Sequence, residues 1–373
     1  MCALGVCGSV ETAWFSAMAT SWQDNDRPAH CGALRITAPD TGLPRSAALR
    51  ISIPNMPAAS CVEDASLSHL MPVRDACAIL AFVNSQTLTL PDGQVVELIV
   101  SGDEPNLLVY HHGTPAAGRT PSSLLAAAQS HGFKVVEIVR PGYGASTRQP
   151  GRSVADVVRL VCAAADALGH ERFVTVGWSG GGPHALATAA LAPERCVAAL
   201  SLAGIAPFDA AGLDFLDGMG QDNIDEFGAA LAGANELQEY LTAAAAGLRD
   251  VTGADLVAAL GSLLPDVDRV HLSGQAGEEL AEQLRFSVAN GIWGWFDDDI
   301  AFTTPWGFDV ANAHNAEIWQ GSADLMVPFA HGQWLASHVS NARVELMNGE
   351  GHLSLAESAF SAVVQRFSEV LAR

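Results

Sequence analysis

One serine of this chain stands among glycines in a setting that suits a nucleophile. Gly177-Trp178-Ser179-Gly180-Gly181 follows the apolar run Phe173-Val174-Thr175-Val176 and precedes the small-residue stretch "GGPHALATAALA". A strand that turns directly into a helix bends sharply, often through φ > 0, where neighbouring side chains would clash. Such a bend holds the Ser179 hydroxyl above a sheet, with the Gly180 amide directed toward it. The helix that begins there favours developing negative charge.

A serine hydroxyl is a weak nucleophile at neutral pH and needs a base. Among the 12 histidines, His352 lies in "NGEGHLSL", after the apolar strand "RVELM" and before the last helix. This predicts a loop position at the C-terminal end of a strand, where catalytic groups collect in open sheets. A neutral imidazole then needs an orienting carboxylate. "WQGSADLMVP" supplies Asp324, just past the strand Glu317-Ile318-Trp319-Gln320, with Asp297, Asp298, Asp299 and Glu350 as competitors. An oxyanion would need two preorganised donors. Gly180 N–H is one, and Thr114 N–H in His112-Gly113-Thr114-Pro115 is the other, because Pro115 has no amide proton. His111 and His112 are adjacent, but neighbours in a strand point to opposite faces, which speaks against a metal site there.

The elements that must position these groups are legible from Asn84 onward. "QTLTLPDGQVVELIVSG" predicts two strands joined by the turn Pro91-Asp92-Gly93. Strands at "NLLVYHHG", "KVVEIVRPGYG", "FVTVGWS" and "CVAALSLAG" alternate with helices at "SSLLAAAQSHG", "SVADVVRLVCAAADALG" and "GGPHALATAALA". Apolar strands alternating with helices predict an α/β fold whose parallel sheet is covered on both faces. The alternation stops near Pro207. Up to about Asn312 only helices and loops are predicted, with Asn223 as an N-cap. Strand, helix, strand and a long closing helix then return. The expected divisions are an extension at 1–83, a first core part at 84–206, a helical cap at 207–312 and a second core part at 313–373. Residues 1–83 hold five of the seven cysteines and no sustained period, and read either as a disordered extension or as a start assigned too early.

The 373 residues carry a formal net charge of −22, which disfavours nucleic acid and anionic membrane surfaces as partners. The span 207–312 alone has 19 acidic and three basic residues. A cap so charged over a site would repel anions and accept neutral or cationic small molecules. No apolar run reaches the ~18 residues of a membrane span, and the N-terminus does not read as a secretory signal. Seven cysteines without Cys-x-x-Cys spacing read as reduced thiols in a cytoplasm, with Cys162 and Cys196 as small core residues. Trp293, Trp295, Phe296, Phe302, Trp306 and Phe308 read as the cap's own core rather than as a ligand pocket. Oligomeric state leaves no mark in the sequence.

With "HHGTP", "RPGYGAST", "GWSGGG", "GSADLMVP" and "GEGH" in this order, residues 84–373 resemble the α/β-hydrolase fold superfamily. The resemblance implies a mainly parallel eight-stranded sheet, an inserted helical cap, a serine hydrolase site of Ser179, His352 and Asp324, and no cofactor. The superfamily commonly has Asp before Arg-Pro-Gly, where this chain has Val139. Its epoxide hydrolases and haloalkane dehalogenases use aspartate as nucleophile, so the serine here disfavours those activities. The expected reaction is carboxylesterase-like acyl transfer to water. An aminopeptidase similar to the proline iminopeptidases is the alternative within that chemistry, and an inactive ligand-binding protein on the same scaffold the alternative outside it.

Overall fold

In the computed structural model residues 83–372 are described, so the expectation for 1–83 lies, Val83 apart, outside the described residues. Eight strands form one sheet: β1 (Val83–Thr89), β2 (Val95–Ser101), β3 (Asn106–His111), β4 (Phe133–Val139), β5 (Phe173–Trp178), β6 (Cys196–Leu202), β7 (Ala316–Gly321) and β8 (Arg343–Met347). Their order is β1-β2-β4-β3-β5-β6-β7-β8. β2 runs antiparallel to both β1 and β4, and every other pairing is parallel. The mainly parallel eight-stranded sheet is as the sequence predicts.

Helices cover both faces. α1 (Ser122–Ser130), α2 (Val157–Ala167) and α3 (Gly182–Leu191) follow β3, β4 and β5. α4 (Gln221–Ala232), α5 (Ala234–Leu248), α6 (Leu256–Ala259), α7 (Asp266–His271), α8 (Gln275–Ala289) and α9 (Trp293–Phe302) lie between β6 and β7. α10 (Phe329–His338) and α11 (His352–Leu371) complete the chain. β3 shows how a parallel strand serves two cores. Leu107 and Val109 pack with α2, α3 and α10, while Leu108 and Tyr110 pack with α1 and α11. That alternation is the period of two of an extended chain.

In the helical stretch between β6 and β7, Leu237, Leu241, Ala245, Val288, Ile292, Trp295 and Phe296 share one apolar cluster with Ile99, Ala117, Val139 and Tyr143 of the sheet and its loops. Trp295, Phe296, Phe302 and Trp306 are buried, but Phe302 and Trp306 join the cluster of Leu107, Val109 and Ile138 under the sheet rather than a core of the cap alone. Two expectations need correction here, the cap of α4 and the number of later helices. Gly220, not Asn223, precedes α4, and Asn223 instead donates its side-chain amide to the Met326 carbonyl (2.9 Å). The stretch that reads as one or two helices is two, divided at Gly233 with φ 145°. α7 and α9 were not foreseen, because α7 has six residues and α9 is buried nearly all round. Cys196 is a buried free thiol and Cys162 a half-buried one. Among the described residues no helix is long and apolar enough to cross a membrane.

Candidate active site

Ser179 follows β5 and opens a single 3-10 turn that leads into α3, and its φ is +55°. The turn is too tight for side chains. A Cβ on Gly177 would collide with the Gly181 carbonyl, and one on Gly181 with the His111 carbonyl of β3. An amide in the first turn of a helix has no intrahelical acceptor, and Gly180 occupies that position.

The loop after β3 meets this turn. A Cβ built on Gly113 would lie 3.4 Å from Ser179 Cβ, and one on Gly180 would lie 2.5 Å from Thr114 Oγ1. Thr114 and Gly180, the two expected amide donors, are thus brought together beside Ser179. Arg140 orients the loop from behind. Its guanidinium donates to the carbonyls of His112 (2.5 Å) and Gly113 (3.0 Å) and to Thr114 Oγ1 (2.8 Å). In a trans peptide the C=O and N–H point oppositely. With the Gly113 carbonyl held by Arg140, the Thr114 N–H is turned away from it.

His352 Nδ1 donates to Asp324 Oδ2 at 2.8 Å, and both side chains are buried. Asp324 is saturated by further bonds from the amides of Met326 (2.9 Å) and Val327 (2.8 Å) and from Gln320 Nε2 (3.0 Å). A carboxylate on Nδ1–H fixes the neutral ring with its lone pair at Nε2. That nitrogen is buried and has no hydrogen-bond partner, so it is not bonded to Ser179. Unliganded sites often hold these contacts open. The Trp178 ring packs against the imidazole, with centroids 5.2 Å apart. Burial disfavours charge on His352, but Asp324 outweighs it, and the pKa is raised above its ordinary 6.5. One expectation fails: His352 is the first residue of α11 rather than a loop residue, because the helix starts directly after Gly351.

Of the competing acids, Asp297 and Asp298 are engaged by arginines. Asp297 pairs with Arg148 (2.8 and 2.9 Å). Asp298 is fully buried and takes Arg140 (2.6 Å), Arg152 (2.5 Å), Tyr143 Oη (2.9 Å) and Thr114 Oγ1 (2.8 Å). Burial opposes the Asp298 charge, but Arg140 and Arg152 hold its carboxyl well below the usual range. Both Asp299 oxygens lack partners, and burial, then Glu226 and Asp298, push its carboxyl well up. Burial lifts Glu226 to about 7, against a bond from Trp295 Nε1 (2.7 Å). The adjacent histidines do face opposite ways, His111 toward His184 and His112 toward Tyr143. Burial and Arg140 lower His111 to about 3, and His112 falls well below its ordinary value for the same reasons.

Sequence reasoning missed Arg140, Asp298 and Asp268. "RPGYG" holds Arg140 within a motif, yet nothing in the sequence pairs it with an aspartate 158 residues later. Asp268, which accepts the amides of His352, Leu353 and Ser354, had no signal at all.

Residues 106–235 match the family described as alpha/beta hydrolase fold. A non-heme chloroperoxidase from Streptomyces lividans is 31% identical over 158 residues, which cover 42% of this chain and 57% of the relative. The uncharacterized hydrolase YcgS from Bacillus subtilis (strain 168) is 30% identical over 110 residues, 30% of this chain and 38% of that one. The chain therefore matches only about two fifths to three fifths of these relatives' length. A solved hydrolase from Pseudomonas aeruginosa PA01 superposes with TM-score 0.53 at 21% identity, over 77% of this chain and 97% of that one. The chain has the α/β-hydrolase fold, and residues 106–235 match the family that carries its name.

Proposed function

We propose that this protein is a serine hydrolase that cleaves an ester-like bond in a small, neutral or cationic substrate through an acyl-enzyme. The observations that carry the reading are the buried Asp324–His352 pair, whose Nε2 is left without a hydrogen-bond partner, and a serine held at positive φ after β5. His352 Nε2 takes the proton from Ser179, and Ser179 Oγ attacks the carbonyl. The amides of Gly180 and Thr114 hold the oxyanion. His352 then gives its proton to the leaving group, and water cleaves the acyl-enzyme by the same route. Asp324 fixes the tautomer and stabilises the imidazolium. The helices between β6 and β7 act as the cap. The free thiols Cys162 and Cys196 fit a reducing cytoplasm, which is part of the same reading.

One observation favours an aminopeptidase instead. Asp299, whose two buried oxygens lack partners, and Glu226 beside it are acids of the helical segment of the kind that a substrate ammonium pairs with. A fluorophosphonate probe, short p-nitrophenyl esters and proline p-nitroanilide decide the matter. Labelling and ester turnover that vanish in Ser179→Ala are expected. Faster cleavage of the anilide would favour the aminopeptidase. Folded wild-type protein that neither labels nor turns over would sink both readings.

A further inference from the structure

Asp268 lies on α7, in the helical segment, yet its fully buried carboxylate caps the helix that begins with His352. Oδ2 accepts the His352 amide at 2.7 Å, and Oδ1 accepts those of Leu353 (3.0 Å) and Ser354 (2.9 Å). Helix caps are ordinarily supplied by the residue just before the helix. Here that residue is Gly351, and a Cβ on it would fall upon the Asp268 carboxylate. The local cap is absent where the distant one must fit. Among the described residues no cationic side chain pairs with Asp268, while its neighbour Arg269 turns to Asp266 (3.7 Å). Three amides and the helix N-terminus hold the carboxylate.

We propose that Asp268 is a positioning residue for His352. It pins the backbone of that one residue so that Nδ1 meets Asp324 and Nε2 is left for Ser179, which ties the geometry of the base to the helical segment. The inference rests on the reading of His352 as the general base. The charged groups acting on the imidazole are Asp324, on the loop after β7, and Asp268, on α7; Trp178 of β5, packed on the ring, carries no charge. Both carboxylates favour the imidazolium. Loss of either charge therefore moves the imidazole titration to lower pH.

The test uses the full chain with 15N-labelled histidine, and His352→Gln to assign the resonance. In Asp268→Asn the His352 titration should move to lower pH, fluorophosphonate labelling should slow by about tenfold or more, and kcat should fall with KM nearly unchanged. Gly351→Ala keeps the charge but displaces the carboxylate. It should slow labelling while moving the titration less, and it carries the test where Asp268→Asn does not fold. Folded variants that lose only thermal stability, with wild-type titration and labelling, would overturn the proposal. Should the wild-type protein itself fail to label, the serine-hydrolase reading falls. The titration then decides alone: a downward move supports Asp268 as a partner of His352, and an unmoved one overturns it.

Discussion

Ser179 differs from other serines only in what surrounds it, and His352 likewise gains its character from one carboxylate. Asp324 offers Oδ2 to Nδ1 and keeps Oδ1 for two amides, so it cannot swing away without leaving buried donors unpaired. Since His352 must be neutral to accept a proton, kcat/KM should rise with pH through its pKa, which lies above the ordinary 6.5. Asp324→Asn removes the larger of the two charges that favour the imidazolium, so the acidic limb should move to lower pH. The plateau should fall by about four orders of magnitude, as loss of the correct tautomer does in such sites. A pH profile on a p-nitrophenyl ester reads both effects, and an unmoved limb would contradict the assignment. At this scale the sequence was most legible. A nucleophile between strand and helix, an acid and a base after later strands, and their order sufficed to propose Ser179, Asp324 and His352, of which the structure pairs the last two. Arg140 and Asp298 were not legible, because an ion pair across 158 residues depends on packing that local patterns do not encode.

Local rules found every strand and most helices, and failed where burial surrounds an element. α9 reads Trp-Gly-Trp-Phe-Asp-Asp-Asp-Ile-Ala-Phe and has no polar stripe. Trp293, Trp295 and Phe296 enter one cluster and Phe302 another, while its aspartates face arginines of the sheet's loops and Glu226 of α4. Periodicity detects a helix by its wet face, and this helix lacks one. The Glu226–Asp299 contact between α4 and α9 makes a further prediction. Burial lifts Glu226 from 4.5 to about 7, so the folded chain binds more protons there than the unfolded one. Its contribution to stability is therefore full below about 4.5 and is lost as pH rises to about 7. Glu226→Gln keeps the shape without the ionisation. It should raise the melting temperature relative to wild type at pH 8 and change it least at pH 4.5. An equal change at both pH values would show that the pair holds no proton in the folded state.

For the molecule as a whole, a count of charges misleads where those charges are buried. The helical span 207–312 carries 19 acidic residues, which the sequence reads as a strongly anionic cover. Asp298 is neutralised by Arg140 and Arg152, Asp297 by Arg148, and burial pushes the Asp299 carboxyl well up and that of Glu226 to about 7. Part of that charge is therefore structural and would exert less pull on a substrate than the sum suggests. Asp298 also joins two parts of the fold, since it lies on α9 while Arg140, Arg152 and Thr114 belong to the loops above the sheet. Asp298→Ala leaves two buried guanidinium groups without a counter-charge, a loss of about 3–5 kcal/mol. The same change frees Arg140 and Thr114 Oγ1, and with them the orientation of the Thr114 amide. Denaturant unfolding should show the stability loss, and ester hydrolysis a lower kcat at little-changed KM. A variant as stable as wild type, or one with full kcat, would mean that Arg140 holds the loop after β3 without help from the helical segment.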